Sequence, residues 1–269
     1  MNKIHNYYIL KGTICISILF VFGCAATGVR TPPANSAITS ERVLRVGVTA
    51  NAPPLIFRKG DKIQGLEADF AQELGASLGK SVQFVDLKWE DLIPALLDNK
   101  IDIIMSGLSV TKLRKVRVAF TEPYLNSGLK AMIRAKDVSK YPSLIIFKFI
   151  SETRMGVEKG TTADFLVQEV FRNTKRVLIS SPEKAARALV KEKIDVFIHD
   201  APVIWWLAAE KESEGIIPVP KFLTREDIAW AVRYEDKELL DSANAFISKW
   251  KNDGRLKALI NQWIPYAFK

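Results

Sequence analysis

Cysteine is nearly absent from this 269-residue chain, which has only Cys15 and Cys24. Both precede the region whose patterning reads as folded. A structural disulfide or a cysteine-ligated zinc in that region is therefore excluded. Histidine is as scarce, with His5 and His199 alone, too few for a histidine-based zinc site. The chain has no Gly-x-Ser-x-Gly elbow, no Walker loop and no Gly-x-Gly-x-x-Gly turn. Hydrolase triads and nucleotide-cradling loops thus have no footing, and no cofactor or metal is expected. Beyond the N-terminal leader, no segment approaches the roughly 18 apolar residues of a membrane-spanning helix. Lys and Arg outnumber Asp and Glu by 39 to 30, a net charge of +9. The basic residues alternate with acids and match no nucleic-acid motif, so no nucleic-acid partner is expected and the charge reads as solvated surface. What remains is 48% hydrophobic and 26% charged, the composition of an ordinary globular protein with ample core material.

The leader has a targeting pattern. Lys3 and Lys11 bracket a positive start, and Gly12 to Gly23 is an uncharged apolar run of signal-peptide length. It ends in Val21-Phe22-Gly23-Cys24, which resembles a lipoprotein cleavage box, with Phe22 bulkier than usual. Residues 1–23 are expected to be a lipoprotein signal peptide and Cys24 the lipidated residue. Residues 24–42, small and Pro-containing, are expected to be a flexible tether. The alternative is a plain secretory signal with an incidental cysteine. Either way the mature protein lies outside the cytoplasm. In the first case it is periplasmic or at the cell surface and held to a membrane by lipid.

Folded patterning begins with Val43 to Val48, which alternates as a strand. Leu66, Phe70, Leu74 and Leu78 form an i+4 helix stripe. Val82–Leu87 reads as a strand, Trp89–Asp98 as a helix and Ile101–Ser106 as a buried strand. Such alternation predicts α/β architecture with parallel sheets. The segment Ala95 to Ser106 is echoed by Ala188 to His199, each a helix end, a Lys-Ile-Asp turn and a buried strand. Asp102 and Asp195 are 93 residues apart, too far for a solenoid repeat, so the echo predicts two similar lobes. Leu129–Arg134 and Ile228–Arg233 are expected to be the two crossings of a hinge. Lobe 1 is then 43–134 with 226–269, and lobe 2 is 135–225. The chain should end in two amphipathic helices, with Leu239, Ala243, Phe246, Ile247 and Trp250 on one face and Leu256, Leu259, Ile260 and Trp263 on the other.

Ligands of open α/β sheets bind beyond the carboxyl ends of the strands. There the chain carries Ser106-Gly107 in one lobe and His199-Asp200 in the other. The segment Ser106 to Arg114 is a strand-to-helix turn with Thr111 as N-cap, and its N–H groups suit an anion. Arg114 offers a bidentate hold on a carboxylate, although a capped helix with a solvated Arg reads the same way. Lys159 to Asp164 repeats the strand, Gly turn and hydroxyls through Thr161 and Thr162. Asp200 suits an ammonium group or, as plainly, a helix N-cap before Pro202. Trp89 is placed to cover a ligand side chain. A zwitterion needs paired groups of both signs once water is excluded, and this set supplies them.

With these residues in hand, the chain resembles the bacterial extracellular solute-binding proteins of family 3, which serve polar amino acid ABC transporters. The marks are Leu44-Arg45-Val46-Gly47, Gly65-Leu66-Glu67-Ala68-Asp69, Trp89 to Leu96, Ser106 to Arg114, Phe120 to Tyr124, Gly160-Thr161-Thr162, His199-Asp200 and Asp253-Gly254. The resemblance implies a type II periplasmic-binding-protein clamshell. Each lobe is a mainly parallel sheet flanked by helices, and two strands form the hinge. It implies Arg114 on the ligand carboxylate with help from Ser109 and Thr162, and Asp200 on the amino group with help from Ser106 and Gly107. Thr161, His199 and Trp89 complete the pocket, and Glu67 is a candidate for a cationic or amide side chain, although an exposed glutamate reads the same way. The implied function is capture of a polar α-amino acid for delivery to a permease, by a monomer without catalytic activity. This chain departs at Ala52, where the family often has an aromatic residue, and at Thr49, where receptors for basic amino acids have an acid. Two alternatives stay open. One is a cyclohexadienyl dehydratase-like enzyme with Glu67 as general acid, and the other is an amino-acid sensor for a membrane partner.

Overall fold

The computed structural model describes residues 42–142, 144–265 and 267. The expected signal peptide, Cys24 and all of the expected tether except Arg42 lie outside the described residues. None of the described helices is long and apolar enough to cross a membrane.

The first strand, β1 (Val43–Val48), buries Leu44, Val46 and Val48 as its alternation predicts. A small antiparallel sheet follows, made of β2 (Asn51–Ala52), β3 (Ile56–Lys59) and β4 (Lys62–Gln64). Helix α1 (Leu66–Ser77) buries Leu66, Phe70 and Leu74, the i+4 stripe, and leads to β5 (Ser81–Asp86). The expected helix at Trp89–Asp98 divides into a 3-10 turn at Trp89–Asp91 and α2 (Leu92–Leu97). Pro94 has no N–H to donate, which suits only the first turn of a helix and places the α-helical start just before it. The expected strand at Ile101–Ser106 pairs only over β6 (Ile103–Ile104), although Ile101 and Met105 are also buried. Then come α3 (Lys112–Lys115), β7 (Ala119–Phe120) and β8 (Leu125–Ser127).

Next is β9 (Leu129–Arg134), followed by β10 (Arg154–Val157), α4 (Thr162–Glu169), β11 (Lys175–Leu178), α5 (Pro182–Val190), β12 (Val196–Asp200), α6 (Ala201–Glu210) and β13 (Ile216–Pro218). The chain returns through β14 (Glu226–Ile228) and β15 (Ala231–Val232) to α7 (Lys237–Asn252) and α8 (Arg255–Trp263). Both terminal helices bury the predicted faces, with Phe246, Trp250, Leu256 and Ile260 inside. They complete an aromatic core in which Phe70 lies 5.6 Å from Trp230 and Phe246 lies 4.7 Å from Trp250.

Two five-stranded sheets result, in the orders β5-β1-β6-β15-β7 and β11-β10-β12-β9-β13. In each, three parallel strands are followed by one that runs against them and a fifth that pairs antiparallel to the fourth and so runs with the first three. Four of the five strands in each sheet thus share one direction, so the sheets are mainly parallel as expected, each with one antiparallel strand. The hinge and the lobe boundary differ from expectation. Leu129–Arg134 is β9, paired with β12 and β13 inside the second sheet, so that lobe begins near Leu129 and not at residue 135. The antiparallel hinge pair is β8 with β14, Leu125 opposite Ile228 and Ser127 opposite Glu226. The expected strand Ile228–Arg233 thus divides between the hinge and β15 of the first sheet. Gly128 alone separates β8 from β9, and a Cβ there would stand 2.2 Å from the Thr224 carbonyl oxygen. Only glycine lets the two hinge connections pass so closely.

Candidate ligand-binding site

Of the three consecutive parallel strands in each sheet, the first and third are neighbours, β1 with β6 and β10 with β12, and the chain leaves the first toward one side and the third toward the other. This is the switch point at which open α/β sheets bind ligands. In the first lobe the strand ends carry Thr49 after β1 and Ser106-Gly107 after β6. In the second they carry Glu158 after β10 and His199-Asp200 at the end of β12. Both sets line a single cleft of about 450 Å³, its open mouth included.

Nine of the ten predicted ligand residues line this cleft: Trp89, Ser106, Gly107, Ser109, Arg114, Thr161, Thr162, His199 and Asp200. The tenth, Glu67, does not. It is fully buried beneath the cleft floor, where Gly107 N–H (2.6 Å), Tyr124 Oη–H (2.7 Å) and Trp230 Nε1–H (2.8 Å) all donate to it. As the first-turn residue of α1 facing the core, it takes internal donors and touches no ligand space. Sequence reading missed Glu158, Asn51 and Leu55, and named Thr49 and Ala52 only as departures; all five line the cleft. Glu158 follows a strand that the sequence did show, and its place at that strand's carboxyl end was the available signal.

Arg114 is held for use. Thr111 caps α3 by accepting the Arg114 N–H at 3.1 Å, as predicted. The guanidinium donates to Ser109 O (2.8 Å) and to Gly160 O (3.4 Å) and lies over the Trp89 ring at 5.3 Å. A guanidinium has five N–H donors, so further donors remain for a carboxylate. Burial pushes Arg114 down from its ordinary value, against the pull of Asp200 and Glu226. At the second strand-to-helix turn, Thr161 caps α4 through Asp164 N–H, and Thr162 Oγ1 donates to Glu226 at 2.9 Å. Both hydroxyls therefore already have partners within the fold.

The anionic end belongs to the second lobe. His199 Nε2 is 2.9 Å from Glu158 Oε2, and Nδ1 is 3.3 Å from Asp200 Oδ2. Burial opposes the imidazolium charge, yet its bonds to Asp200 and Glu158 outweigh that cost and raise His199 to about 10. Asp200 Oδ1 is buried and has no hydrogen-bond partner, and Thr49 Oγ1 is in the same condition. A buried carboxylate oxygen without a donor is costly, and an ammonium group supplies that donor. Among the charged residues lining the cleft, Arg114 and His199 stand against Glu158 and Asp200, and Glu226 behind Thr162 adds a further negative charge. Among the described residues, three hydrogen bonds join the lobes across the cleft: Asn51 Nδ2 to Glu158 Oε1 (3.1 Å), Trp89 Nε1 to Gly160 O (3.1 Å), and the Arg114 bond to the same carbonyl.

Two switch-point sheets, a two-strand hinge and a charged cleft define a type II periplasmic-binding-protein clamshell. Residues 44–266 match the family described as bacterial extracellular solute-binding proteins, family 3, and the chain belongs to that family. It is 30% identical over 228 residues to the ABC transporter arginine-binding protein 1 of Escherichia coli K12, covering 82% of this chain and 90% of that protein. Among solved structures, it is similar to an ABC-transporter binding component from Wolinella succinogenes in complex with lysine. The TM-score is 0.79 and the identity 27%, over 83% of this chain and 96% of that one. It is also similar to AncCDT-1, an ancestral amino acid-binding protein that is a precursor of cyclohexadienyl dehydratase. There the TM-score is 0.76 and the identity 29%, over 85% and 98% of the two chains.

Proposed function

We propose that this protein captures a polar α-amino acid between its lobes, closes on it and delivers it to an ABC transporter permease without chemical change. Lipid on Cys24 would hold the monomer to a membrane, in the periplasm or at the cell surface. The observation that carries the reading is the pairing of Arg114 with Asp200 in one cleft. The first has guanidinium donors to spare, and the second has a buried oxygen that lacks a donor. An α-carboxylate and an α-ammonium meet those two needs. The excess of carboxylates favours a ligand whose side chain is cationic, because such a ligand neutralises the cleft where a plain zwitterion does not. The arginine and lysine named for two of its relatives agree with that charge. The dehydratase alternative relied on Glu67 as its acid, and Glu67 does not reach the cleft.

The test is a thermal-shift panel on protein unfolded and refolded to strip carried ligand. It uses the twenty amino acids with ornithine, prephenate and arogenate. A binder at 100 times its Kd stabilises by about 2.7 kcal/mol. Arginine, lysine or ornithine should give the largest rise, and Arg114→Ala should abolish it. No rise with any amino acid contradicts the reading, and turnover of prephenate or arogenate would establish the enzyme.

A further inference from the structure

Glu67 is the largest departure from what the sequence predicted, and its three partners come from three parts of the molecule. Gly107 belongs to the cleft-lining turn after β6. Tyr124 is the residue immediately before hinge strand β8. Trp230 lies two residues beyond hinge strand β14. Two of the partners are fixed by backbone bonds of their own: Tyr124 N–H donates to Ile228 O at 3.1 Å, and Thr121 N–H donates to Trp230 O at 2.9 Å. Tyr124 and Trp230 also pack with Phe70 of α1, at 5.3 and 5.6 Å. Gly107 has φ +67°, and a Cβ there would stand 2.9 Å from Leu55 Cδ1. The turn is thus crowded, and its amide direction depends on what accepts its N–H.

We propose that Glu67 is a positioning residue for ligand capture: its single buried carboxylate aims the Gly107 turn into the cleft and ties that turn to the points where both hinge strands join the first lobe. The bonding requires an acceptor at every position. The amide and indole N–H groups can only donate, and Tyr124 donates as well, so a carboxylate satisfies all three and a carboxamide does not. In Glu67→Gln, an NH₂ group must face one of those donors, which leaves it unsatisfied inside the fold. Burial pushes Glu67 up to about 7, against the bonds from Tyr124, Gly107 and Trp230. Tyr124 is the one titratable group bonded to Glu67 among the described residues. Burial and Glu67 hold its phenol well above the ordinary value, so it stays protonated through neutral pH.

The effect on affinity rests on the amino-acid reading, but the bonding itself can be read without ligand. The full-length protein is labelled with ¹⁵N-glycine and ¹⁵N-tryptophan, and the Gly107 amide and Trp230 indole signals are followed from pH 5 to 9. They should move together with one midpoint near 7. Tyr124→Phe, which keeps the ring and removes one donor to the carboxylate, should shift that midpoint upward for both signals. Calorimetry with L-arginine should show Glu67→Gln binding about tenfold to a hundredfold more weakly than wild type. Separate midpoints, the absence of a shared step, or a Glu67→Gln variant that binds L-arginine like the wild type would overturn the proposal. If wild-type protein binds no amino acid, the reading of its function fails and the two signals alone decide the role of Glu67.

Discussion

The two lobes share one set of internal bonds and differ in the chemistry they offer the cleft. In the first lobe, Arg45 on β1 bonds Asp102 through its backbone N–H (2.8 Å) and its Nε (3.1 Å). In the second, Arg154 on β10 bonds Asp195 in the same two ways, at 3.0 and 2.9 Å. A second arginine reaches in from the fourth strand of each sheet. Arg233 Nη1 donates to the carbonyls of Leu96 (3.0 Å) and Ile101 (2.6 Å), and Arg134 Nη1 donates to those of Leu189 (3.0 Å) and Ile194 (2.6 Å). The fourth strands arrive in opposite chain order: β9 precedes the rest of its sheet, and β15 returns to its sheet after the second lobe is complete. At the matching strand ends, however, Thr49 stands where the other lobe has Glu158, and Ser106-Gly107 where it has His199-Asp200. The scaffold is repeated while the charges are divided, with Arg114 on one side of the cleft and the carboxylates on the other. A zwitterion is thereby matched only when both lobes meet it.

The largest effects should come from the repeated part. Arg134→Ala and Arg233→Ala each strip a buried cation from carbonyl and carboxylate partners, a loss of about 3–5 kcal/mol. Urea unfolding should show similar losses for the two, and a small effect in only one would break the equivalence. Next comes Arg114→Ala, which belongs to one lobe alone. Calorimetry should show a loss of about 2–5 kcal/mol in ligand binding, or roughly 30-fold to several-thousand-fold. Gly128→Ala forces a methyl against Thr224 O and should cost about 1–3 kcal/mol in thermal unfolding, as overpacking does.

A pH series sharpens the contrast, because Ser106 cannot titrate where His199 can. The native pKa of His199, about 10, lies above its unfolded value of about 6.5. Its contribution to stability is therefore complete below about 6.5 and is lost as pH rises through 10. Thermal unfolding between pH 6 and 10.5 should show this loss in wild type and a flatter profile in His199→Gln. The smallest effect should be that of Asn51→Ala, which removes one bond between the lobes. The cost is about 0.5–1.5 kcal/mol, seen in small-angle scattering as a larger share of open molecules.

The repeat was legible where local pattern carries it. The Lys-Ile-Asp turns follow helix stripes and precede apolar runs, so helix, turn and strand are all visible in one short window. The bonds of Asp102 and Asp195 were not, since their arginines are distant in sequence. The hinge was misplaced for a similar reason. Leu125–Ser127 and Leu129–Arg134 are nearly continuous in sequence, and alternation does not reveal that Gly128 sends them to different sheets. Arg114 and Asp200 stand where strand ends and helix starts predict. Glu67 was read toward the cleft because its motif shows where the helix begins and not which side of that first turn meets the core. Glu158 is not singled out by the sequence because a carboxylate after a strand looks like a solvated charge until His199 and, from the opposite lobe, Asn51 close over it.

The most direct test of divided charge is calorimetry with matched ligands. Refolded wild type, Arg114→Ala and Asp200→Ala are each titrated with the amino acid that binds best, with its decarboxylated amine and with its deaminated acid. The account predicts that wild type binds both analogues weakly. Arg114→Ala should weaken the amino acid and the acid but leave the amine nearly unchanged, and Asp200→Ala should do the reverse. If Arg114→Ala weakens the amine as much as it weakens the amino acid, Arg114 does not meet the carboxylate and the division of charge between the lobes is wrong.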